Sequence, residues 1–467
     1  MAEEFVLDWK VDQPAIQAGH SESLYTLVTI RPNIAKLGAL LESAVESTLP
    51  AHLIVVVDVS GLMQDLIQAD PNARIVGRGS SEGKDVTIVE TDVPSRLQVA
   101  ERVVQRLADR LTQGDRMSLV AFDHQAHPLA RSAIGSELQQ AVRQLADTGG
   151  GGTSMGRGFQ AVLKCLPVRD DGRTTCKIIV LTDGEDQEPD FALEQARVLA
   201  AERHVPIHAF GTGPCRVDFL TEVCKTTMGG EFRHIQDDRE AEQYFDDVLT
   251  RQKNILATNV RLTLWLSPDI FVQELYRTKP EILYAGKIQP GADNTIAVPI
   301  EYMEKGKAYE FLFNCTVPAR DAGRFRLAKA VLTYDIPALH VLQQKCEANV
   351  VVEFTTDAER ALVRVGDVRR VIAQAEVQRQ VLFLQGKIDA LKSGHGTDKD
   401  KTVAGRLLDV LIKKHQEFND QANANLYSKM RDEFLSSGII SQDMLNRSLA
   451  ASSKVEETVA VQEIDDF

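Results

Sequence analysis

The sequence predicts a doubly wound α/β domain inserted into an antiparallel β-sandwich and followed by a C-terminal α-helical domain. Three observations predict it. Between residues 50 and 255, continuous apolar runs alternate with stretches of helical periodicity. On both sides of that segment the apolar period falls to two. Beyond residue 357 apolar residues recur in steps of three and four.

Residues 1–48 hold the first sandwich strands. Over 4–32 two strands are read: Tyr25, Leu27 and Thr29 alternate with Leu24, Thr26, Val28 and Ile30, and Pro32 ends the run. They have no partner before residue 52. In the inserted unit, 53–57 is all Leu, Ile and Val, as in a strand buried on both faces. Leu97, Ala100, Val103, Val104 and Leu107 then recur at helical spacing. Strands follow at 117–122, 177–181 and 206–210. Helices follow at 136–146, after the glycines at 149–152, at 191–203, at 219–225 and at 241–252. This β/α alternation predicts a mostly parallel sheet covered on both faces.

Residues 256–356 supply the rest of the sandwich. Val260, Leu262, Leu264 and Leu266 share one face, and strand-like runs recur at 295–300, 309–317, 324–334 and 346–354. Trp9 and Trp265 are expected in its core. Residues 357–450 form the helical domain. Ala361, Val365, Val368, Ile372 and Ala375 make a helix-packing seam, residues 393–396 break it, and Val403, Leu407, Leu411, Leu426, Met430 and Phe434 continue it. The acidic tail, 451–467, lacks a packing pattern and is expected to be disordered.

Composition bounds the function. At roughly 150 residues per domain, the length corresponds to about three domains. Lys+Arg is 53 against Asp+Glu 67, a net charge of -14. That balance excludes a general nucleic-acid binder and docking on an anionic membrane. No apolar run has membrane-spanning length, and residues 1–5 lack a signal-peptide pattern. The cysteines (165, 176, 215, 224, 315 and 346) show no C-x-x-C spacing. Reduced thiols in a cytoplasmic protein are expected.

The chemistry gathers at three loops. Asp58-Val59-Ser60-Gly61-Leu62 follows the first buried run, Gly149-Gly150-Gly151-Gly152-Thr153 precedes a helix, and Thr182-Asp183-Gly184 follows the third strand. In an open parallel sheet, loops at the carboxyl ends form the ligand crevice. Two carboxylates and two hydroxyls suit a hard divalent cation, with Asp58 and Asp183 giving charge and Ser60 and Thr153 giving hydroxyls.

These residues resemble the metal-ion-dependent adhesion site of a von Willebrand factor type A domain. Its pattern is D-x-S-x-S, a distant Thr, and the Asp of a T-D-G turn. Asp58, Ser60, Thr153 and Asp183 match it, whereas Leu62 stands where the second serine belongs. The Gly114-Asp115-Arg116 segment and the Val120-Ala121-Phe122 strand also match, and the resemblance covers about residues 50–250. The flanking sandwich resembles that of bacterial cytoplasmic members and, more distantly, the inter-alpha-trypsin inhibitor heavy chains. The resemblance implies a Rossmann-like fold and a non-catalytic binding module. Asp58, Ser60, Thr153 and Asp183 would hold Mg²⁺, or Mn²⁺ or Ca²⁺, with one coordination position open to a partner's Asp or Glu. It also implies work in a multiprotein assembly, alongside a MoxR-type AAA+ ATPase or a signalling protein. Leu62 leaves two alternatives open: a water replaces the missing hydroxyl, or the site is vestigial and the domain is a metal-independent scaffold.

Residues 64–95 interrupt the family pattern. Residues 74–76 and 86–89 read as two strands around a Gly/Ser-rich tip at 77–83, a β-hairpin at the rim of the site. The residues expected to meet a partner are Gly61, Leu62, Gly151, Gly152, Ser154, Gly184, Glu185, Arg78 and Lys84. Gly152-Thr153-Ser154-Met155-Gly156 also matches G-x-S-x-G, which raises a serine hydrolase using Ser154. That motif needs a buried strand directly before it, and here four glycines stand there. The close pair His124 and His127 reads as loop.

Overall fold

The computed structural model describes residues 4–42, 50–67, 70, 73–81, 84–166, 174–203, 205–212, 215–226, 230–235, 254–291, 293–392, 394 and 396–455. The expected helix at 241–252 and most of the expected tail lie outside the described residues.

The first strands are β1 (Phe5–Val11), β2 (Ala15–Gln17) and β3 (Glu22–Pro32), followed by α1 (Ile34–Glu42). The segment read as two strands therefore makes three, because Asp12–Pro14 breaks the first. The chain then enters β4 (Ala51–Asp58), every residue of which is buried. The hairpin strands β5 (Arg74–Ser81) and β6 (Lys84–Glu90) lead to α2 (Arg96–Asp109), β7 (Arg116–Phe122) and β8 (Ala126–Ala133). There follow α3 (Gly135–Gln144), α4 (Met155–Cys165), β9 (Thr175–Thr182), α5 (Pro189–Arg203), β10 (Ile207–Thr212), α6 (Val217–Lys225) and β11 (Phe232–Ile235). These strands lie in the order β11-β10-β9-β4-β7-β8, with all pairs parallel except β7–β8. From β4 the chain builds first towards β8 and then towards β11, so strand order reverses between β4 and β9. Apolar cores fill both faces of this sheet.

The sandwich resumes with β12 (Ile255–Leu266), β13 (Phe271–Lys279), β14 (Leu283–Lys287), β15 (Thr295–Glu304), β16 (Tyr309–Val317), β17 (Gly323–Ile336) and β18 (Val341–Thr355). One sheet runs β1-β3-β16-β13-β14 and the other β15-β12-β17-β18-β2. The N-terminal strands complete both sheets, as the sequence predicts, and one shared core fills the space between them. The pairing is antiparallel except between β2 and β18. Trp9 is partly buried and packs against this core, whereas Trp265 is 49% exposed, contrary to expectation. Leu262, Leu264 and Leu266 turn inward, so the alternate residue Trp265 faces out.

The C-terminal region contains α7 (Ala358–Leu362), α8 (Gly366–Lys392), α9 (Asp398–Glu417), α10 (Gln421–Ser437) and α11 (Gln442–Ser452). The predicted seam packs Val368 and Ala375 against Leu27, Tyr276 and Leu312 of the sandwich, a helix-on-sheet contact. Leu449 of α11 joins the core of the α/β unit. Residues 451–452, placed in the tail by sequence, belong to α11.

Candidate metal-binding and recognition site

The parallel register brings three aspartates to adjacent strand ends. Asp58 closes β4 opposite Phe122, which Asp123 follows, and Val57 lies opposite Leu181 two residues before Asp183. Because β4 is flanked by β7 and β9, the three following loops share the crest of the sheet.

Hydrogen bonds knit these loops. Gly150 N–H donates to the Val59 carbonyl at 2.8 Å and Gly61 N–H to the Gly151 carbonyl at 3.1 Å. Glycine is required at 149: φ is +84°, and a Cβ would lie 2.3 Å from Val59 Cγ2. The glycine run thus seats Thr153 beside the Asp58 loop. Ser154 N–H donates to the Asp123 carbonyl at 2.7 Å, and Gln187 N–H to the Thr153 carbonyl at 3.0 Å.

Asp58, Ser60, Thr153 and Asp183 are all buried, at 0%, 1%, 5% and 1% exposure. Asp58 Oδ1 accepts from Ser60 N–H at 2.9 Å and Oδ2 from the Thr182 hydroxyl at 2.7 Å. Burial, and then the nearby Asp183 carboxylate, push the Asp58 carboxyl up to about 7, against the pull of those donors. Burial also raises Asp183, which Glu185 N–H and Arg96 oppose. The Ser60 hydroxyl is buried close to the Asp58 carboxyl and makes no hydrogen bond of ordinary geometry. Among the described residues no group of three or more His, Cys, Asp or Glu is arranged for a metal. An ion here would therefore rest on two carboxylates and hydroxyls. These hard oxygens, among them the Ser60 hydroxyl beside the raised Asp58 carboxyl, fit a Mg²⁺-class ion.

A family model for the von Willebrand factor type A domain matches residues 89–247. This chain contains a von Willebrand factor type A domain. The whole chain is similar to the von Willebrand factor type A structure from Catenulispora acidiphila: TM-score 0.71, 97% of each chain covered, 16% identity. It is also similar to the ArnB paralog VWA2 from Sulfolobus acidocaldarius, with TM-score 0.59 over 97% of this chain and 98% of that one at 14% identity. At such identities the likeness shows the fold, and it extends over the sandwich and helices. The uncharacterized protein sll0103 of Synechocystis is 24% identical over 250 residues, 52% of this chain and 58% of the relative. The chain thus spans little more than half of that relative's length. Type A domains are in general non-catalytic modules that mediate protein–protein interactions.

Around the type A site, Gly61 and Glu185 are exposed, Leu62 is 42% exposed, and Gly151 and Gly152 are half-buried. Gly184 is buried in a turn at φ +78°. Ser154 is buried at the N-cap position of α4 without a capping side-chain bond, and its hydroxyl donates instead to Glu188 Oε2 at 2.8 Å, the bond of a loop latch. The hairpin is pinned at its base by a bridge between Leu66 and Ser95. Its strands run longer than expected, and residues 77–81, expected in the tip, lie in β5. Arg78 is exposed on β5; Lys84 lies on β6, its side chain outside the described residues.

Three participants escape sequence reasoning. Arg96, 9% exposed, donates from Nη1 to Asp183 Oδ2 at 3.2 Å and to the Leu62 carbonyl at 3.3 Å. Its one sequence signal is the capping box Ser95-x-x-Gln98, which makes it the first residue of α2. Asp123 accepts from Gln125 N–H and His127 and orders the loop between them. Burial raises its carboxyl, but those donors outweigh burial and hold it below the usual range. Asp186 accepts from Met155 N–H at 2.7 Å, fastening the third loop to the start of α4.

Proposed function

We propose that this chain is a non-catalytic adaptor that recognises a protein partner at the Asp58/Ser60/Thr153/Asp183 crest, assisted by Mg²⁺, within a multiprotein assembly. The observation that carries this reading is the Ser60 hydroxyl, buried without a hydrogen bond of ordinary geometry beside a carboxylate that lacks a cation of its own among its bonded partners. Asp58, Ser60, Thr153 and Asp183 would hold the ion. When bound, it would offer a coordination position to a partner's Asp or Glu. Gly61, Leu62, Gly151, Gly152 and Glu185 form the rim, and the hairpin with Arg78 and Lys84 selects the partner. An AAA+ ATPase or a signalling protein is the class of partner that the resemblance implies. All six cysteines are free thiols, which supports a reducing, cytoplasmic location.

A second reading has its own support. The ion pair from Arg96 supplies Asp183 with a positive charge and favours a metal-independent scaffold.

The test is capture from the source organism's lysate by the full chain and by Asp58→Ala, with Mg²⁺ or EDTA, read by mass spectrometry. The adaptor reading expects one set of proteins lost equally with EDTA and with the variant. Equal capture in EDTA removes the metal from it.

A further inference from the structure

We infer that Arg96 is a resident counter-charge that competes with a divalent cation for Asp183 and so sets how tightly the crest takes metal. This deepens the reading above and rests on it.

Four observations meet at one side chain. Arg96 Nη1 already donates to Asp183 Oδ2, so an ion drawing on that oxygen must displace or share with a guanidinium. The other acceptor of Nη1 is the carbonyl of Leu62, the residue standing at the position of the second motif serine. The place in the pattern that lost a hydroxyl thus holds the arginine through its main chain. Third, Arg96 opens α2, where the helix dipole disfavours a cation. A buried arginine there is tolerated because Asp183 neutralises it. Finally, Arg96 Nε is buried without a hydrogen-bond partner. The guanidinium is therefore fastened through Nη1 while its inner N–H remains unsatisfied, an arrangement that can re-pair when Asp183 is drawn elsewhere.

Charge explains the competition. Asp58 and Asp183 together carry two negative charges when ionised, and Arg96 cancels one. A divalent ion entering the crest meets one net negative charge and a fixed positive neighbour in a site with little water, where repulsion is screened weakly.

The experiment is Mn²⁺ titration of the full-length chain, read by the EPR signal of free Mn²⁺, for wild type, Arg96→Gln and Arg96→Lys, with thermal melts to verify folding. Arg96→Gln should bind Mn²⁺ at least tenfold more tightly than wild type. Arg96→Lys, which keeps the charge but not the fork, should fall between them and serves as the arm if Arg96→Gln does not fold. If wild type binds Mn²⁺ and neither folded variant binds more tightly, the inference fails and the metal-assisted reading stands. If only Arg96→Gln binds, the inference stands and native metal assistance fails. If no form binds, both fail.

Discussion

Arg379 on α8 donates to both carboxylate oxygens of Glu274 on β13, at 3.0 and 3.1 Å. Glu274 is buried and also accepts from the hydroxyls of Tyr276 and Tyr284. Burial raises its carboxyl, but Arg379 and the tyrosines outweigh that and hold it below the usual carboxylate range. This pair clamps the helical region to the sandwich. Removing the cation leaves a buried carboxylate against two phenols. Arg379→Met should lower stability by about 2–3 kcal/mol, less than for a fully buried pair because Arg379 is partly exposed. Urea unfolding of Arg379→Met, Glu274→Gln and the double variant checks this. Additive losses would show that the two residues are not coupled.

A second contact of α8 should make stability depend on pH. Burial, and then Asp218 of α6, push the Asp389 carboxyl up to about 6, while Lys392 and Arg216 pull it down. Glu433 of α10 also faces this group through Lys392. A raised carboxyl favours its protonated form in the folded chain. Its contribution is therefore full below the ordinary carboxylate range and is lost as pH rises through about 6. The expected loss is on the order of 1–2 kcal/mol between pH 4 and pH 7, discounted for partial exposure. Asp389→Asn should flatten that part of the urea-unfolding profile; an unchanged slope would assign it to other groups.

Gly149 is the tightest point of the site scaffold. An alanine there meets both the positive φ and the Val59 side chain. Gly149→Ala should cost about 2 kcal/mol. Differential scanning calorimetry is the measurement, and a melt within a degree of wild type would show that the loop can give way.

The base bridge between Leu66 and Ser95 makes the hairpin removable. Replacing residues 68–93 by a two-residue Asn-Gly link should leave the fold intact, with unfolding within about 1 kcal/mol of wild type. Circular dichroism melts test this. A collapse of the melt would mean that the hairpin supports α2 rather than only projecting from it.

How far the fold could be read follows from burial. Strands β4, β7, β9 and β10 are buried on both faces; β4 holds an unbroken apolar run, and the runs of the other three are interrupted only by Ser118, Lys177 and His208. β8 escaped reading because it is an edge strand with only two of its eight residues buried, written AHPLARSA. β13 escaped because its buried positions include the charged residues Glu274 and Arg277, which break the apolar alternation. At the site, Asp58 and Asp183 follow apolar strands directly, so their place at the crest was legible. Arg96 was not: it meets Asp183 across 87 residues, and nothing local announces the pair.

The insertion has a consequence for synthesis. β3 pairs with β16, from Glu22 opposite Val317 to Ile30 opposite Tyr309, only after the whole α/β unit has emerged. Until then the N-terminal strands expose apolar edges to anything nearby. A fragment ending near residue 255 would keep every residue of the recognition crest yet leave those edges uncovered. Isolating the crest for biophysical work therefore calls for trimming both arms together, from about residue 50 to 255, and never the C-terminal arm alone.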